Sequence, residues 1–286
     1  MIDHTIYTGI LRTNGKTTYL ETISGEKIFE HEKIWDGYVK HWNNSAVKAR
    51  RLIQLDYEDG KPIIIMWPDE SVPTKPFVQI YYNERLVKYF DSIMGHLAIN
   101  VNGKIFNFAK KINENEVITK EEYFYRPALG EFAPSPNNGK QEISVNGKSY
   151  FDKFGRNFMR SIHVLHIEGI DTKKLYNILI EEINIIHNTP PKPEEPEHYP
   201  DFHFIKRSCT SIVRDGLRKY GFKKIKGVIP RDFFVNAAYN LKKDKDLKIK
   251  IFKMPQLLVL ECPTSRPTVL FNIKNWFRIR TLKFKK

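Results

Sequence analysis

Asn102-Gly103 stands between two apolar, β-prone runs, Leu97-Ala98-Ile99-Asn100-Val101 and Lys104-Ile105-Phe106-Asn107-Phe108. The dipeptide is the strongest short-range hairpin signal, because both central residues of a type I′ turn need positive φ. A two-residue turn leaves no freedom of register. Val101 must oppose Lys104, and Ala98 must then oppose Asn107. Side chains alternate along a strand, so residues 96 and 98 share a face with 107 and 109. His96, directly after Gly95, therefore projects on the same face as Asn107 and diagonally across from it, within side-chain reach. An amide there can accept from one imidazole nitrogen and leave the other free.

The remaining chain is punctuated by equally local signals. Thr13-Asn14-Gly15-Lys16 and Ser24-Gly25-Glu26-Lys27 mark tight turns in a β-rich first part. Asp59-Gly60-Lys61-Pro62 introduces the apolar run Ile63 to Trp67, and three prolines between Pro68 and Pro76 mark a linker. Residues 1–70 are thus expected as a β-rich accessory region and 71–286 as the main domain. A helix is expected from the Asp171-Thr172 cap, with Leu175, Ile178, Leu179, Ile183 and Ile186 at helical spacing, ending near Asn188 before a proline-rich loop that runs to about Pro200. Ser208 to Tyr220 reads as another helix, stopped by Gly221, and a shorter one follows Pro230, from Arg231 to Tyr239. Strands are expected over Leu247 to Phe252, Gln256 to Leu260 and Trp276 to Phe284.

A hydrophobic content of 41% with 13% aromatics points to a folded globular chain. The net charge of +14 is unevenly spread, for Leu241 to Lys286 holds thirteen Lys/Arg against three acids. Such a tail suits an anionic partner: nucleic acid, anionic lipid or an acidic cell-wall polymer. Two cysteines, Cys209 and Cys262, are too few for a disulfide framework or a zinc site. No apolar run approaches the length of a membrane span, and Met1-Ile2-Asp3-His4 does not begin a secretory signal. The expectation is a protein made in the cytoplasm, with any export through a specialised secretion system.

Cys209 follows Ser208, a good N-cap, and so falls in the first turn of its helix. There the free backbone N–H groups and the positive end of the helix dipole favour a thiolate, as do Arg207 and Arg214 nearby. A thiolate beside a general base is the activated nucleophile of cysteine hydrolases and acyltransferases. His96 is the candidate base and Asn107 the candidate orienting residue. His163 and His166 lack the spacing of a metal-ligand pair and read as core or interface residues. His187, His198 and His203 flank the proline loop and read as exposed. No metal and no other cofactor is called for by the sequence.

Together these residues resemble a known pattern. Ser92-Ile93-Met94-Gly95-His96-Leu97-Ala98-Ile99 is similar to the Ser-x-x-Gly-His-x-x-apolar strand of the family typified by the N-terminal periplasmic domain of the lipoprotein N-acyltransferase Lnb. Phe106-Asn107-Phe108, Gly155-Arg156, the helix from Asp171 and Cys209-Thr210-x-x-x-x-Asp215 follow in that family's order, over about residues 75 to 240. The family lies in the circularly rearranged branch of the NlpC-like papain superfamily, where the histidine strand precedes the cysteine helix. The resemblance implies a permuted papain-like α+β core, with His96 as base and Cys209 as nucleophile in amide or ester chemistry. It departs from the pattern at Ser208, where the family has Asn. It departs again in lacking the family's membrane helices.

From these residues the expected function is cysteine-dependent acyl transfer, with catalytic Cys209, His96 and Asn107, and with Ser208 and Ser92 contacting substrate. The expected partners are a cell-wall peptide or a lipid acyl substrate, a secretion machinery or immunity protein, and an anionic polymer at the basic tail. A second class stays open: a nucleic-acid or anionic-surface binding protein with a degenerate site, resting on Trp276, Phe277, Arg278, Arg280, Lys283 and Phe284.

Overall fold

A computed structural model describes residues 5–55, 61–70, 73–86, 93–126, 144–145, 148–149, 157, 160–196, 198–258 and 264–282. Ser92, Gly155, Arg156, Cys262, Lys283 and Phe284 lie outside the described residues. The chain is α+β, with two larger antiparallel sheets and six helices among the described residues.

It divides into two compact units. The first comprises residues 1–72 together with 121–158, and the second 73–120 with 159–286. Residues 121–158 therefore depart from the division into two consecutive blocks, because a compact unit is defined by packing and not by chain order. In the first unit β1 (Tyr7–Thr13), β2 (Thr18–Glu21), β3 (Lys27–Ile28), β4 (Ala46–Leu55) and β5 (Pro62–Pro68) form one sheet in the order β3-β2-β1-β4-β5. The short helix α1 (Asp36–Trp42) contributes the buried Tyr38, whose hydroxyl donates to the Tyr125 carbonyl. Tyr125 closes α2 (Lys120–Tyr125). Arg50, almost fully buried, is held by Glu121 and Glu122 at 3.3 and 2.5 Å.

The second unit is built on a six-stranded sheet in which every pairing is antiparallel. Its strands are β6 (Phe77–Asn83), β7 (His96–Val101), β8 (Lys104–Asn107), β9 (Glu116–Thr119), β12 (Ile162–Glu168) and β13 (Lys248–Met254), ordered β13-β12-β6-β7-β8-β9. Between β9 and β12 in the chain, β10 (Ser144–Val145) and β11 (Lys148–Ser149) pair with each other. The β7–β8 register is the one a two-residue turn demands: Val101 faces Lys104 and Ala98 faces Asn107. Asn102 and Gly103 both take positive φ, 50° and 88°.

Strand alternation separates the two faces of this sheet. Ile80 and Tyr82, Leu97 and Ile99, Phe106, and Leu165 and Ile167 pack in one core with α3 (Thr172–Asn188), α4 (Cys209–Tyr220) and α5 (Pro230–Leu241). The other face carries polar groups, with the Asn100 amide donating to the Tyr81 hydroxyl and that hydroxyl to Gln79. α3 is capped by Asp171, whose carboxylate accepts from Lys174 N–H, and α4 ends at Gly221 with φ 146°.

The tail corrects one expectation. Residues 276–281 are not in a strand: the chain forms α6 (Ile273–Thr281), with Asn272 as its cap, accepting from Lys274 N–H. Gln256 to Leu258 are likewise not in a strand, and Val259 and Leu260 lie outside the described residues. The alternation of aromatic and basic residues suggests an edge strand, but a tertiary contact decides otherwise. Asn275 is buried and donates from Nδ2 to both the Asp232 carbonyl and its carboxylate. A strand running on from Asn272 would carry that amide away from its acceptors.

Candidate active site

His96 is the first residue of β7. Gly95 before it has φ +76°, and a Cβ there would stand 2.5 Å from the Asn83 carbonyl oxygen. Only glycine lets the chain enter the strand at this angle and this distance. The imidazole Nε2 lies 2.7 Å from Asn107 Oδ1, across the hairpin.

Which nitrogen of His96 carries a proton follows from what lies beyond Asn107. Its Nδ2 donates to the Glu114 carbonyl at 2.7 Å. A carbonyl can only accept, so the amide oxygen must be the atom turned toward His96. Nε2 is therefore protonated and donates, which leaves Nδ1 to the other side of the ring. The Glu114 carbonyl is itself placed by a single 3-10 turn, Ile112–Glu114, and by Asn115 behind it. Fully buried, Asn115 accepts from Ala109 N–H at 2.9 Å and donates to the Lys111 carbonyl at 2.7 Å.

Cys209 opens α4, and α4 packs on β7 and on α3. Ser208 and Ser211 close the helix start as a capping box. The Ser208 hydroxyl accepts from Ser211 N–H, and the Ser211 hydroxyl accepts from Ser208 N–H at 2.7 Å. Ile212 N–H reaches the Ser208 carbonyl at 3.0 Å. Of the four leading N–H groups that a helix cannot bond internally, those of Cys209 and Thr210 are the two this cap does not use.

Cys209 and His96 lie close enough that each shifts the titration of the other. Burial pushes the Cys209 thiol up, but the charge of His96 and its hydrogen bond, joined by Leu97 N–H and Thr210, bring it below the ordinary thiol range. The Thr210 hydroxyl is 3.8 Å from the sulfur. Burial pulls His96 down, the Cys209 thiolate outweighs it, and the imidazole ends above its usual value despite buried Arg160 nearby. In each shift the largest favourable contribution comes from the other member of the pair. Each charged form stabilises the other, so the pair favours thiolate and imidazolium.

His96, Asn107 and Cys209 thus come together. Ser208 is different: its side chain is buried and committed to the helix cap. Ser92 lies outside the described residues. Arg160, Leu97 N–H and the Asn115 scaffold join the site without having been among the residues expected from the sequence. Nothing in Met159-Arg160-Ser161 marks that arginine, whereas Thr210 stands in the motif beside the cysteine.

Comparison with protein-family models, with curated proteins and with solved structures returns no match. Among the described residues no group of three His, Cys, Asp or Glu is arranged to hold a metal ion, and no helix is long and apolar enough to cross a membrane. Two open clefts of about 480 and 470 Å³ lie elsewhere, one beside Gly169 and Asp246, the other beside Gly227 and Phe271. Neither is lined by Cys209 or His96.

The other histidines have structural surroundings. His163 Nε2 meets Glu84 at 2.8 Å, and His166 lies 3.1 Å from the Gln79 amide. His187 donates to the Asn115 carbonyl at 2.6 Å, which ties α3 to the loop behind Asn107. His198 is half-buried and His203 is exposed.

Proposed function

We propose that the chain is a cysteine-dependent acyl-transfer enzyme acting on an amide or ester, on a permuted papain-like core. The observation that carries this reading is the relay Asn107–His96–Cys209, with its protons assigned by the Glu114 carbonyl. The histidine strand precedes the cysteine helix in the chain, and an antiparallel sheet packs on that helix. Both features fit the rearranged order.

In the proposed mechanism the Cys209 sulfur attacks the acyl carbon, the thiol proton having passed to His96 Nδ1. The oxygen that gains charge is met by N–H groups at the start of α4, those of Cys209 and Thr210. As the tetrahedral adduct collapses, the C–N or C–O bond breaks and Nδ1 returns the proton to the leaving amine or alcohol. A thioester remains on Cys209. Water or another acceptor then attacks it, losing its proton to Nδ1; the C–S bond breaks, the acylated product leaves, and Nδ1 returns the proton to the sulfur. Asn107 holds Nε2–H throughout, so the ring cannot swing away from the sulfur.

The setting we propose is an antibacterial effector acting on peptidoglycan or lipid. Its support is the net charge of +14, suited to anionic envelope polymers, and the separate β-rich unit. The test is to incubate the protein with peptidoglycan fragments and with phospholipids, in separate reactions, and to identify products by mass. Turnover of one class that disappears in Cys209→Ala supports the reading. Equal turnover by both proteins would remove it.

A further inference from the structure

Helix α6 packs Asn275 and Ile279 inward and carries a second apolar stripe outward. Asn275 faces the protein interior against Asp232, while Ile273, Trp276 and Phe277 face outward, 74%, 53% and 62% exposed. With Arg280 they occupy positions i, i+3, i+4 and i+7, a single stripe. Phe271, just before the helix, is also exposed. Such a stripe normally faces a core.

Its side chains are held ready. The Trp276 Nε1–H donates to the Leu270 carbonyl at 2.9 Å, so the polar edge of the indole is satisfied by the protein and its apolar body is presented outward. Lys274 and Arg280 are exposed beside the stripe. From residue 262 to 286 the sequence has seven Lys/Arg and no acid. A second exposed apolar tip lies close along the chain to Cys209. Phe204 and Ile205, 46% and 52% exposed, cap a turn in which His203 Nδ1 accepts from Ile205 and Lys206 N–H and Arg207 N–H bonds the His203 carbonyl. The α6 segment is likewise tied to the other half of the pair, because the Thr268 hydroxyl donates to the carbonyl of Met94, two residues before His96.

We propose that this surface docks on an anionic lipid bilayer, with the α6 stripe in the headgroup–acyl boundary and Lys274 and Arg280 on lipid phosphates. Cations rimming exposed aromatic and aliphatic groups are what an interfacial helix needs. Single-stranded nucleic acid fits less well. Stacking recognition uses ring faces, and Ile273 has none to offer. Docking does not depend on the chemistry of Cys209, and its test is separate from that of the enzyme reading.

The experiment is co-sedimentation of the full chain with vesicles of phosphatidylglycerol and phosphatidylcholine, and with vesicles of phosphatidylcholine alone. Expected is binding to the anionic vesicles that weakens with salt and falls at least ten-fold in the exposed-residue variant Trp276→Ser/Phe277→Ser. The charge variant Lys274→Glu/Arg280→Glu should fall at least five-fold on anionic vesicles while keeping the wild-type melting curve. Cys209→Ala should bind as wild type. The proposal is overturned if wild type stays in the supernatant, or if neither double variant weakens binding. It is also overturned if the same residues instead mediate retention on a DNA oligonucleotide, or hold together a dimer, without vesicle binding.

Discussion

Two half-buried imidazoles, His96 and His163, sit on the same six-stranded sheet and have opposite surroundings. His163 is clamped. Its Nε2 meets Glu84, a buried carboxylate that also accepts from Lys253 at 3.2 Å and from the Ser265 hydroxyl at 3.1 Å, and its ring stacks on Tyr82. Burial pushes Glu84 up, but His163 and Lys253 bring it below the usual carboxylate range, so its charge is permanent near neutrality. His96 is held on one side by a neutral amide and faces on the other a group that itself gains and loses a proton. A fixed counter-charge makes a histidine structural, whereas a neutral orienting group and a titrating partner make it a proton carrier.

The largest effect expected from this contrast is at His96. His96→Ala should lower turnover by roughly 10³-fold, the scale of a lost general base. Loss confined to KM, with kcat retained, would break the comparison. Asn107→Ala comes next. A ring freed to swing should cost on the order of 10²-fold in kcat, with Asn107→Asp partly restoring it and altering the pH profile. Unchanged kinetics would remove the orienting role.

His163→Ala should leave kcat within about two-fold and instead destabilise the fold. Stripping one partner from buried Glu84 costs about 1–3 kcal/mol, read from the denaturant midpoint. A large loss of kcat per folded molecule would place His163 in the mechanism and erase the distinction. Smallest is Ser208→Ala, which should lose about 1 kcal/mol of stability as a cap and leave KM unchanged. A raised KM would return Ser208 to substrate contact.

Much of this site was legible because it rests on local rules. Asn102-Gly103 sets the register that brings His96 to Asn107, and Ser208 sets the helix start that places Cys209. Neither needs knowledge of distant contacts. What was illegible depends on partners far along the chain. Arg160 lies near His96 only through folding, and Asn115 orients Asn107 only by stitching the intervening loop. Helix α6 is illegible for the same reason, since Asn275 is anchored by the distant Asp232. The return of residues 121–158 to the first unit is likewise a packing outcome.

The pH dependence of the thiol gives the sharpest test. With the thiol lowered and the imidazole raised, the ion pair forms as pH rises through the thiol's depressed value and is lost as pH rises through that of the imidazolium. Iodoacetamide labelling, mapped by peptide so that Cys209 is read apart from Cys262, should begin below the ordinary thiol value of about 8.5. In His96→Ala, where burial still opposes the charge and its counter-ion is gone, the onset should move up to that value or beyond. Identical onsets in the two proteins would mean that imidazole and sulfur do not share a proton, and would contradict the account.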